Sequence, residues 1–140
     1  MTLLEIVISI SVILIITSIC FPNVDIKKYQ VNSFVKQLCS DIRYIRNINM
    51  MGNTNAYIYL DNNDKESSFT LNENKKNIKT VYLPKDCKIE YTRQMVKFKS
   101  DGTPYPSGTT IKIIYENTKK EITIVPISGR VLIKEGKYET

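Results

Sequence analysis

The first twenty-two residues constrain this chain more than any others. They read MTLLEIVISISVILIITSICFP, and Glu5 is the only charged side chain among them. No Lys or Arg precedes or interrupts the apolar run from Ile6 to Phe21. A secretory signal has a positive n-region and a small-residue cleavage site. This segment lacks the positive n-region and passes directly into an amphipathic pattern. A helix from Leu3 to Phe21 would be about 28 Å long, close to the ~30 Å of a hydrocarbon core. A carboxylate costs ~2–3 kcal/mol at the centre of a bilayer and less near its interface, so one retained in such a span marks a functional position.

Glu5 calls for a cation, and the only one in the segment is the α-amino group of Met1. That pairing is expected if a basic leader has been removed and Met1 is the mature N-terminus. Thr2-Leu3-Leu4-Glu5, the apolar run behind them and Pro22 together resemble the type IV pilin and pseudopilin class. In that class a proline commonly bends a long N-terminal helix. Met1 stands where the class usually has Phe. The resemblance makes Met1, Glu5 and Pro22 the assembly residues. It also implies a prepilin peptidase during maturation, N-terminal methylation, an inner-membrane assembly platform, and other pilins or pseudopilins as filament partners. The alternative is a generic single-pass anchor in which Glu5 is incidental.

The length fits one anchor, residues 1–22, and one small α+β domain, residues 23–140, exported to the periplasm or cell surface. The whole chain carries +6, from 20 basic and 14 acidic residues. Setting Glu5 aside leaves the exported portion at +7. Such a surface favours anionic partners such as nucleic acid, acidic polymers or lipid headgroups, and it also fits a plain solvated surface. Of the three cysteines, Cys20 lies in the span. Cys39 and Cys87 lie beyond it and permit one disulfide; sequence alone leaves bonded and free thiols both open.

After Pro22 the apolar positions are Val31, Phe34, Val35, Leu38, Ile42, Ile45 and either Ile48 or Asn49. Their three-to-four spacing is helical. Lys28, Lys36, Asp41, Arg43 and Arg46 fall on the opposite, solvated face, and Gly52 is a natural stop. The expectation is one continuous helix from about residue 2 to residue 51, kinked at Pro22. Beyond Gly52 the period becomes two. Strands are expected at 56–60, 68–71, 78–83, 88–91, 96–99, 110–115, 121–125 and 129–133. An irregular loop is expected over 100–108, and a polar tail over 134–140. The order is one long helix and then an antiparallel sheet.

Three further segments sharpen the resemblance. Phe98-Lys-Ser-Asp-Gly102, the strand pair 110–115 and 121–125, and Gly129-Arg130-Val131 are similar to the C-terminal pattern of the GspH/FimT-type minor pseudopilins. The Arg-rich helix exit with Arg43 and Arg46 is similar to that group as well. The resemblance implies the type IV pilin fold.

Catalytic chemistry finds little support. With no histidine there is no imidazole base and no Ser-His or Cys-His pair. The carboxylates are dispersed, and the Asp61–Asp64 turn lacks the glycine and distal glutamate of an EF-hand loop. No cofactor, metal or enzymatic activity is expected. The leading expectation is a structural minor pilin or pseudopilin serving protein secretion, a pilus or DNA uptake. The second is a filament-borne binding module whose basic face contacts DNA or another anionic polymer. Arg93, Lys97, Lys99 and Arg130 are its candidate contacts, because basic residues interleaved with aromatics combine stacking with phosphate neutralisation. Lys97 and Lys99 also fit an ordinary amphipathic strand.

Overall fold

A computed structural model describes residues 2–20, 25–63 and 65–137. Helix α1 spans Leu3–Cys20 and helix α2 spans Ile26–Met50. The expected single helix is therefore two. Asp25, with φ −66° and ψ 89°, is not helical. Its carboxylate accepts the Lys28 backbone N–H at 3.1 Å, so α2 starts afresh with its own N-cap. Pro22, the expected kink, lies outside the described residues, as does Met1. At the far end Gly52 takes φ +103° and closes the last turn, as its position predicts.

Among the described residues nine strands follow: β1 Tyr57–Asn62, β2 Ser67–Glu73, β3 Lys76–Tyr82, β4 Cys87–Tyr91, β5 Met95–Phe98, β6 Pro104–Tyr105, β7 Thr109–Tyr115, β8 Thr118–Ile124 and β9 Val131–Lys137. They form two antiparallel sheets rather than one, ordered β3-β2-β1-β5-β6 and β4-β7-β8-β9. Alternation is clean in β7, where Thr109, Ile111, Ile113 and Tyr115 point inward. The short β6 falls inside the expected loop. Strand β9 runs through most of the expected polar tail. It is an edge strand with little burial to satisfy, so charge is tolerated there. Opposite charges face each other across the ladder, Glu121 with Lys134 and Lys120 with Glu135.

The core lies between α2 and the two sheets. Val31, Phe34, Val35, Leu38, Ile42 and Ile45 of α2 are all buried in it. Phe34 meets Phe69 of β2 edge to face, with centroids 5.3 Å apart. Of the last two candidate core positions, Asn49 is buried and Ile48 is half-buried. Asn49 Nδ2 donates to the carbonyls of Ala56 and Phe98, each at 3.1 Å, joining the helix end to β5.

Two residues expected on the solvated face are not free. Asp41 is buried, and Lys79 of β3 reaches across to pair with it at 2.7 Å. Asp41 lies between Leu38 and Ile45 on the packed side of α2, so burial follows from the helical geometry and Lys79 neutralises it. Arg46, half-buried, donates from Nε to Gly102 O and from Nη2 to Ser128 O, both at 3.0 Å.

Candidate functional site

Helix α1 presents the first candidate. It is long and apolar enough to cross a membrane, and none of its residues is buried by the rest of the fold. Its hydroxyls are turned inward on the helix itself. Ser9, Ser11, Thr17 and Ser18 donate to carbonyls three or four residues earlier, which leaves the outer surface of the helix almost wholly apolar.

Glu5 sits in the first turn of α1. Its Oε2 accepts the Thr2 backbone N–H at 2.8 Å, and the Thr2 hydroxyl accepts the Glu5 N–H at 3.3 Å. The two residues form a reciprocal capping box, and the carboxylate also lies at the positive end of the helix dipole. Glu5 thus has a local partner as well as the expected Met1 amino group, which lies outside the described residues.

Three of the four candidate anion contacts lie on or beside β5, and the fourth lies beside β9. Arg93 is exposed in the connection between β4 and β5. Lys97 is half-buried on the outer face of β5, opposite exposed Tyr105 of β6 and on the same strand face as Met95. The alternation expected of an amphipathic strand is therefore present, with Val96 and Phe98 inward. Lys99 is exposed and opens the turn whose Gly102 N–H donates to Lys99 O. Arg130 is exposed just before β9, beside Gly129.

Arg130 is the one that joins a cleft. Arg43, Arg46, Asn47, Gly129, Arg130, Val131 and Leu132 line a cleft of about 350 Å³ between α2 and β9. Three of these seven residues are guanidinium side chains and none is an acid, so the cleft suits an anion. Arg43 and Arg46 were legible as an Arg-rich helix exit, but their meeting with Arg130 depends on the β8–β9 connection. That connection is held by close glycine packing. A Cβ on Gly129, at φ +64°, would fall 2.2 Å from Gly102 O, so the approach of the two loops requires glycine.

Cys39 and Cys87 are both buried with free thiols; the disulfide that the sequence permits is not formed. Burial raises both thiol pKa values, Cys39 to about 11 despite the opposing charge of Arg43. Among the described residues no three His, Cys, Asp or Glu side chains gather as a metal site would require. In the hairpin after β1, Asn63 donates to Asp61 at 3.0 Å, and Asp64 lies outside the described residues. No family model, no curated protein and no solved structure matches this chain.

Proposed function

We propose that this protein is a membrane-anchored minor pilin or pseudopilin that assembles into a type IV-like filament, in a structural rather than catalytic role. The observation that carries the reading is the exposure of α1. A helix this apolar, unburied by its own fold, needs an apolar partner at all times. A bilayer supplies one before assembly, and the packed helices of like subunits supply one afterwards. In this reading prepilin peptidase matures the chain and an inner-membrane assembly platform extracts it. The α+β domain, with its pilin fold, faces the periplasm or cell surface.

In the assembled filament Glu5 pairs with the Met1 amino group of a neighbouring subunit and sets the axial register. The capping box supports this reading, because it gives the carboxylate a partner while the subunit waits in the bilayer. The test is Glu5→Ala in cells that carry the rest of the filament machinery. The variant should reach the membrane at normal abundance and be missing from sheared filaments. Normal incorporation would sink the pairing.

The Arg-lined cleft favours a second reading, a filament-borne module that contacts DNA or another anionic polymer. Its contacts would be Arg43 and Arg130, with Arg93, Lys97 and Lys99 adding charge elsewhere on the domain. Salt-dependent binding of duplex DNA separates it from the purely structural role.

A further inference from the structure

We propose that the chain forms an intramolecular isopeptide bond between Lys120 and Asn32, promoted by Glu135. Lys120 belongs to β8 and points to the core side, in the same inward row as Ile122 and Ile124. Its side chain is only 11% accessible, yet two polar groups meet its amine. Lys120 Nζ donates to Asn32 Oδ1 of α2. The Glu135 carboxylate of β9, directly opposite in the ladder, lies 3.5 Å from the same nitrogen. An amine, a carboxamide and a carboxylate thus converge from three elements.

A nucleophile held against its electrophile reacts as if at very high concentration. The electrophilic carbon, Asn32 Cγ, is one bond behind the oxygen that Nζ touches. Glu135 takes a proton from the ammonium, and the freed amine attacks Cγ to form the new C–N bond. A second proton passes from Nζ through the Glu135 carboxylate. Both protons end on Asn32 Nδ2, whose bond to Cγ breaks. The products are a secondary amide and one ammonium ion, so atoms and charge balance with no oxidant or other reactant. Glu135 is 56% accessible, which gives the leaving group a path to solvent.

The reaction removes the energetic objection to a lysine in this row. A buried ammonium is costly, whereas the product is a neutral amide. The bond ties α2 to β8 across 88 residues of chain. It is a staple that reduction does not open, in a domain whose two cysteines remain thiols. It does not depend on the filament reading.

The test is the intact mass of the full chain purified in detergent under reducing conditions. The wild type should be lighter than its sequence by one ammonia, and a protease digest should give one joined peptide carrying both Asn32 and Lys120. Lys120→Arg and Asn32→Ala should each show the full sequence mass. Glu135→Gln, on an exposed edge strand that should still fold, should remain mostly unlinked. Full sequence mass in the wild type overturns the proposal. So does an ammonia loss that persists in Asn32→Ala, or one without a joined peptide.

Discussion

Arg46 Nε donates to Gly102 O at 3.0 Å, and the same guanidinium reaches Ser128 O. One side chain on α2 thereby ties the β5–β6 turn of the first sheet to the β8–β9 connection of the second. Gly129 packs on Gly102 directly beside it. The Arg-rich helix exit, the Phe98…Gly102 turn and Gly129-Arg130-Val131, separate in sequence, are one structural unit. Arg46→Ala should cost about 1–3 kcal/mol, because two carbonyls lose a charged donor. Arg46→Lys should recover only part, since an ammonium cannot reproduce the fork. Gly129→Ala should cost more than about 2 kcal/mol, through backbone collision at positive φ, while Gly136→Ala, with open space around it, should be nearly neutral. Denaturant melts of the four variants check the order.

Asp41 and Lys79 predict an asymmetry. The Asp41 side chain is 7% accessible and that of Lys79 is 36%. Lys79→Ala leaves a carboxylate in the core to which, among the described residues, only Gln37 donates, which should cost about 3 kcal/mol. Asp41→Asn leaves a lysine that can turn to water, so its cost should be smaller. Equal losses from the two variants would mean that the pair is not buried as described.

What was legible in the sequence follows from the range of the interactions. The three-to-four spacing of Val31 to Ile45 needs only the helix itself, and the alternation of β7 and β8 needs only the strand. The break at Asp25 was missed because Pro22 reads as a kink within one helix, although Asp25 is a residue type that caps a helix start. The division into two sheets was hidden because strand order is a long-range matter. Strand β6 has two residues and no period to detect. Asp41 and Arg46 read as solvated because their partners lie 38 and 56 or more residues away. The one local signal for Arg46 was glycine in the two turns it reaches, since left-handed glycines often mark a close approach of backbone.

Cys39 predicts a loss of stability in base. Its thiol pKa is raised by burial from the ordinary 9.0 to about 11. The unfolded chain therefore releases this proton at lower pH than the folded one. The contribution is fully present below pH 9 and is lost as pH rises through about 11. Cys39→Ala should flatten part of that decline in melts taken across the window. Maleimide at neutral pH should label Cys39 and Cys87, both buried, far more slowly in the native chain than in denaturant.

A localised anion site and general surface charge predict different losses. Arg43 and Arg130 line one cleft with no acidic residue. If DNA binds there, Arg43→Ala and Arg130→Ala should each lower affinity at ~50 mM salt and reduce the log-log salt slope by ~0.9 for every phosphate no longer neutralised. Lys75 and Lys76, at the β2–β3 turn, are the matched control. Lys79 cannot serve, because it neutralises Asp41 and its loss would disturb the fold. Arg93, Lys97 and Lys99 form a third set, away from the cleft lining. Equal losses from all three sets would point to net charge alone, since +7 on residues 23–140 attracts polyanions from any direction. Losses confined to Arg43 and Arg130 would place the contact in the cleft, and losses confined to the third set would place it on the β5 side. Absence of binding by the wild type at low salt would leave the structural filament role alone, with Arg46 serving to tie the β8–β9 connection to α2.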